Sequence, residues 1–231
     1  MALPQKLPSK EIIACNSCPR LRKYCLGIAK TKRKSYLHET YWGKPITGFG
    51  DPKARMMIIG LAPAAHGANR TGRIFTGDRS GLWLYRALHK AGFANQSTYE
   101  RADDGLKLND TYITCVVKCA PPDNKPSPAE TARCSKFLEQ ELHALTEVKV
   151  LLVLGQIGLS AAWPLISDQV LKKFPDAKLK KPKLKHGGEM TLPDGRTILM
   201  SFHPSQQNTF TGRLTEPMFD GVFERVRDLL R

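Results

Sequence analysis

A single carboxylate closes the stretch "GLAPAAHGANRTGRIFTGD": Asp78 follows four glycines, four alanines, two arginines and a histidine. Small residues let a ligand approach the backbone, so the N–H groups around Gly60, Ala62 and Ala64 are candidate contacts. Neither Gly-x4-Gly-Lys-Ser/Thr nor G-x-G-x-x-G is present, which excludes phosphate cradling by those motifs. Arg70 and Arg73 still offer guanidinium groups to a phosphate ester. Phe75 reads either as a lid over the core or as a platform on which a nucleobase stacks. Asp78 also reads two ways, as the N-cap of the helix that follows or as a reacting carboxylate.

Two more polar segments carry candidates. "CAPPDNKPSP" is stiffened by four prolines around Asn124, whose amide offers both donor and acceptor to a base edge. The alternative is an Asp-Asn turn between prolines. "SFHPSQQNTFTGRLT" puts His203 at the end of an apolar run, with Gln206, Asn208 and Arg213 as polar contacts to DNA. Phe210 and Leu214 are the wedges this segment offers to a base stack.

The six cysteines form a third set. Cys15 and Cys18 make a C-x-x-C pair, and Cys119 and Cys134 stand fifteen apart. Four such thiolates suit zinc or an iron–sulfur centre, and the alternative is a set of buried free thiols. Cys115 lies inside an apolar strand and reads as core. Cys25 competes as a ligand.

These residues need a scaffold, and the pattern of apolar runs supplies one. Buried strands are expected at 54–60, 111–119, 148–155 and 196–205, with helices at 79–93, 127–146, 156–166 and 216–231. On the helix at 79–93, Leu82, Tyr85, Leu88 and His89 are expected to share a face. Alternating strands and helices predict a three-layer αβα sandwich around a mainly parallel four-stranded sheet, with the site at the carboxyl ends of the strands. The whole chain, 1–231, reads as one domain. Residues 1–47 are an N-terminal appendage, "GFGDP" marks a turn into the main body, and 172–188 is a Lys-rich insertion.

Charge narrows the partner. Lys and Arg number 36 against 21 Asp and Glu, for a net charge of +15. An excess of that size points to a polyanion, nucleic acid above all, unless the basic surface is merely solvated. No run of about 18 apolar residues occurs, which excludes a spanning helix. "MALPQKLPSKEIIAC" lacks the apolar centre of a signal peptide, so the protein is expected to stay in the cytosol; a monomer in a bacterial or archaeal cell is a separate expectation.

The three loop motifs, in this order, resemble those of the type b, or family 5, uracil-DNA glycosylases. The likeness runs from about Cys15 to the final helix, with the Lys-rich segment as the variable part. It implies a base excision repair enzyme that removes uracil, and other deaminated bases such as hypoxanthine or xanthine, from DNA. It further implies a structural [4Fe-4S] cluster on Cys15, Cys18, Cys119 and Cys134. Phe75 becomes the stacking platform, Asn124 the base reader, His203 the donor to the base carbonyl and Asp78 the acid residue of the reaction. Two departures from family 4 stand out: Cys115 replaces an Asn in the strand motif, and "AAHGANR" replaces a loop containing Glu. Both predict looser selectivity, with Asn124 only partly replacing the missing amide. The rival readings are a non-catalytic nucleic-acid-binding protein with a structural metal cluster, and an electron-transfer protein.

Overall fold

The computed structural model describes residues 6–231; residues 1–5, the start of the stretch read for a leader, lie outside the described residues. Two helices come first, α1 (Ser9–Ile13) and α2 (Pro19–Thr31), the second opened by a proline whose missing N–H costs nothing at that position. A two-residue strand β1 (Phe49–Gly50) forms at the expected turn "GFGDP", followed by β2 (Met56–Gly60). The long loop after β2 holds a short helix α3 (Ala68–Thr71) and ends at α4 (Arg79–Lys90). Then come β3 (Thr111–Cys115), α5 (Pro128–Ala144), β4 (Val150–Leu154) and α6 (Gln156–Lys173). The chain closes with β5 (Glu189–Thr191), β6 (Thr197–Ser201), α7 (Gln206–Phe210) and α8 (Glu216–Leu229).

The sheet has six strands, ordered β1-β3-β2-β4-β6-β5, rather than the expected four. Its four central strands are parallel and buried throughout, as the apolar runs predict. The extra strands are short antiparallel edges of two and three residues, too brief to leave an alternating pattern. Side chains alternate between two cores. Met57, Ile59, Leu151 and Val153 face α1, α2, α5 and α6, whereas Met56, Ile58, Leu152 and Leu154 face α4 and α8. The three-layer αβα architecture follows. No helix among the described residues is long and apolar enough to cross a membrane.

Two helices differ from expectation. In α4 the buried stripe is Gly81, Leu84, Tyr85 and Leu88, while Leu82 and His89 are exposed. The face is set by packing: Trp83, Leu84, Tyr85, Ala87 and Leu88 all enter the core shared with α8. α6 continues past Ile166 and through Pro164 to Lys173, because Ile166, Gln169 and Val170 carry on its buried face. The Lys-rich segment therefore begins as the last turn of α6. It then runs without regular structure, with Leu179 and Leu184 packed on the core.

From β2 the chain moves outward to β3, then returns to place β4 on the other side of β2. A crevice opens where neighbouring strands send their connections in opposite directions. Here it lies between the loops that follow β2 and β4.

Candidate active site

The paired residues Gly60 and Cys115, and Leu154 and Ser201, end the four parallel strands at one level. The loops leaving that level line a single long cleft, whose walls include Ala62, Ala64, Phe75, Asp78, Asn124 and His203.

Gly60, an expected backbone contact, is buried against Phe75 and Cys115 and does not itself line the cleft. A Cβ there would stand 3.1 Å from Cys115 Sγ and 3.2 Å from the Phe75 ring, so only glycine lets this aromatic settle so low. Phe75 has φ +52°, a left-handed backbone that a bulky residue adopts only when its surroundings impose it. Part of the imposition is visible: the Tyr85 hydroxyl donates to the Ile74 carbonyl at 2.8 Å, under the loop. The Phe75 and His203 rings lie 6.0 Å apart and 28° from parallel. Phe75 is buried and lines the cleft. Burial also pushes the Cys115 thiol up to about 12, so it stays protonated beneath the floor.

Asp78 fulfils both of its readings at once. Its Oδ1 accepts the N–H of Gly81 at 2.9 Å and caps α4. Its Oδ2 is turned toward Gly67, where any side chain would collide with it. Burial raises the carboxyl pKa above its ordinary value, opposed by the N–H groups of Gly81 and Ser80 and by Arg70. His203 is shifted in the direction that also favours the neutral form: burial lowers it to about 4. At neutral pH the site therefore presents a neutral His203 imidazole beside the Asp78 carboxyl.

Asn208 is turned inward, not toward DNA as expected. Its amide donates to the His203 carbonyl at 2.8 Å, and its own carbonyl accepts the Leu214 N–H. Ser205 caps α7 in the same turn. The polar loop after β6 is thus a brace for His203. Gln206 lines the cleft and is exposed, and Arg213 lies over the Phe202 ring at 4.6 Å.

Three further expectations are corrected. Arg70 is buried, pairs with Glu39, stacks 3.9 Å from the Tyr36 ring and donates to the His66 carbonyl. Arg73 is buried in a two-pronged pair with Asp104 at 2.7 and 2.8 Å. Both guanidiniums hold the loop's shape instead of gripping a phosphate, because leaving them unpaired at such depth would be costly. Leu214 is 0% exposed and sits in the α4–α8 core, so it is no wedge. Phe210 is 66% exposed, with the Arg79 guanidinium 4.1 Å above its ring.

Asn124 stands at the cleft in a 3-10 turn, Pro122–Asn124, with φ +56°. The turn reading and the cleft position are both satisfied. Sequence reading gave no site role to His66, Leu82 and Ile157, which line the cleft. Ile157 is 60% exposed in the first turn of α6 and lines the cleft. An apolar residue opening a helix reads as core, and no local signal marks it otherwise.

On the far side of the sheet, Cys15, Cys18, Cys119 and Cys134 line one small cavity between α2, α5 and the loop after β3. Burial raises Cys18 and pushes Cys134 up to about 12, with contributions from the neighbouring cysteines. Arg22 and Arg133 line the same cavity, and the Arg22 Nε is buried without a partner. Four thiols beside two guanidiniums are a donor set suited to a negatively charged thiolate-bound centre. Among the described residues no three His, Cys, Asp or Glu side chains are grouped to hold a metal ion, as one zinc would require. Cys25 lies behind Cys119, with its thiol 3.4 Å from the Ala120 carbonyl, and does not line the cavity. Arg20 of α2 clamps Glu130 of α5 at 2.6 Å and holds that carboxyl near 2, tying the two cysteine-bearing helices together.

The chain is similar to known proteins over most of its length. The family profile described as the uracil DNA glycosylase superfamily matches residues 47–227. A type-5 uracil-DNA glycosylase of Thermus thermophilus is 46% identical over 218 residues, 94% of this chain and 94% of its own. One of Mycobacterium leprae is 44% identical over 221 residues, 95% of this chain and 93% of its own. A type-4 uracil-DNA glycosylase of Thermotoga maritima is 29% identical over 161 residues, 69% of each chain.

Proposed function

Because the chain belongs to the uracil-DNA glycosylase superfamily, we propose that it frees uracil from DNA by hydrolysing the N-glycosidic bond, leaving an abasic site for repair. The observation that carries the reading is the convergence of the Phe75–His203 ring pair and Asp78 on one cleft at the sheet's switch point.

Breaking the bond builds positive charge on the deoxyribose and negative charge on the departing base. His203, neutral at pH 7, donates to the base carbonyl where that negative charge grows. A neutral donor suits this task, since the base leaves as an anion and needs no strong acid. Asp78, with one oxygen committed to the cap, uses the other to activate water or to stabilise the sugar cation. Phe75 stacks on the flipped base, and the backbone of Ala62 and Ala64 lets the base come close. Asn124 reads its edge. The base must first leave the stack, at a cost of a few kcal/mol that is lowest for mispaired, deaminated bases.

The buried Cys115 thiol supplies no amide under the base, which supports acceptance of hypoxanthine and xanthine beside uracil. Cys15, Cys18, Cys119 and Cys134 would hold a [4Fe-4S] cluster. That group supplies a structural crosslink between the N-terminal helices and the sheet. The protein acts as a monomer in the cytosol, with DNA as its partner.

The test is a panel of oligonucleotides carrying uracil, hypoxanthine or xanthine, single- and double-stranded, scored for alkali-labile sites. Cleavage at uracil is expected, with measurable cleavage at the purines. Intact strands throughout would overturn the reading.

A further inference from the structure

One wall of the cleft is built by residues to which the mechanism above gives no work. Arg33 and Thr40 reach it from the segment between α2 and β1, and His66 reaches it from the loop after β2. The Tyr41 hydroxyl lies 3.0 Å from His66 Nδ1, with the two rings edge to face. The same oxygen accepts the backbone N–H of Arg33 at 3.3 Å. Tyr41 is buried, so its own proton needs an acceptor, and His66 Nδ1 is the one within reach. The ring proton of His66 is thereby confined to Nε2, the nitrogen away from Tyr41.

The surroundings of this ring are positive. Burial first, and then Arg33 and Arg70, hold its pKa below the ordinary value. Arg70 is answered by Glu39, whereas Arg33 is exposed and in no ion pair among the described residues. Next in the chain is Gly67, the residue against which Asp78 packs. An oriented N–H beside an unpaired guanidinium therefore stands one residue from the contact with the reacting carboxylate. A neutral base gains nothing from the charge of Arg33. A phosphate does, and it is the anion that DNA brings.

We infer that His66 and Arg33, with Tyr41 fixing the ring, form the wall that grips a backbone phosphate at the flipped nucleotide. This rests on the proposed excision of bases from DNA. It gives Arg33 the contact that the buried Arg70 and Arg73 cannot make. His66 and Arg33 are binding residues, and Tyr41 is a positioning residue acting through His66.

The test uses uracil-containing duplexes in which one phosphate at a time is replaced by an uncharged methylphosphonate. Wild-type protein should lose roughly tenfold in affinity at one position near the uracil, about what a charge-assisted hydrogen bond is worth. His66→Ala and Arg33→Ala should each bind unmodified DNA more weakly and lose less than wild type when that position is neutralised. Arg33→Ala should also flatten the slope of log K against log salt by about 0.9. His66→Gln, which keeps an N–H near the Nε2 position, should recover most of the affinity. Tyr41→Phe should raise KM more than it lowers kcat. A phosphate map in which wild type and His66→Ala respond alike at every position would overturn the inference. If His66→Ala does not fold, Arg33→Ala and His66→Gln decide by the same map. A wild type that forms no abasic sites overturns the function; an active wild type with no shared phosphate overturns this inference alone.

Discussion

At the scale of single residues, Asp78 carries the largest claim, and its two oxygens allow its two roles to be separated. Asn caps a helix about as well as Asp. Asp78→Asn should therefore keep the melting temperature while lowering single-turnover excision by about 10²–10⁴-fold. Asp78→Ala should lose both activity and about 1 kcal/mol of stability, measured by denaturant unfolding. The pH profile is a second check. Asp78 must be ionised to act, and its raised pKa moves the acid limb of the rate above 3.8. His203, held near 4, stays neutral well below pH 6.5, so the profile should show no step there. Its effect on folding has the opposite sense to a stabilised cation. The unfolded chain binds its proton at about pH 6.5 and the folded one only near 4, so stability is lost as pH falls through that window. The cleft positions of Asp78, Asn124 and His203 were legible because polar residues on small or proline-stiffened loops stand out against apolar runs. Arg70 and Arg73 were misread because their partners, Glu39 and Asp104, lie 31 residues away and leave no local signature.

At the scale of elements, the loop after β6 divides its residues between core and cleft. Leu214→Ala should cost about 2–5 kcal/mol, as a fully buried leucine does. Phe210→Ala should leave stability unchanged but lower excision from duplex DNA, with little effect on single strands, where no stack has to be opened. Equal losses on both substrates would assign Phe210 a role other than wedge, and Ile157→Ala in the same assay would test the neighbouring candidate. The four parallel strands were readable because a strand buried on both faces is a continuous apolar run. The edge strands β1 and β5 were not readable, since two or three residues carry no period. α7 was hidden because a polar, Gln- and Asn-rich turn reads as a loop until the Ser205 cap is seen.

At the scale of the whole molecule, charge and cysteines set the remaining expectations. The net charge of +15 and the exposed lysines of 178–185 predict sequence-independent affinity for DNA that weakens steeply with salt. The proposed cluster would tie the N-terminal helices to the sheet, so a chelator that removes its iron should lower the melting temperature and release α1 and α2 to protease, while Cys25→Ser should leave the iron content unchanged. A Cys25→Ser protein lacking iron would place that thiol among the ligands. The central claim is base excision at the cleft that holds Asp78. Its most direct test is uracil release from a duplex bearing a single uracil, with wild-type and Asp78→Asn proteins compared at equal DNA binding. Free uracil and an alkali-labile strand from the wild type, with at least a hundredfold slower release from Asp78→Asn, is the result expected for a general acid–base group. No uracil from the wild type, or equal release from both proteins, would contradict it.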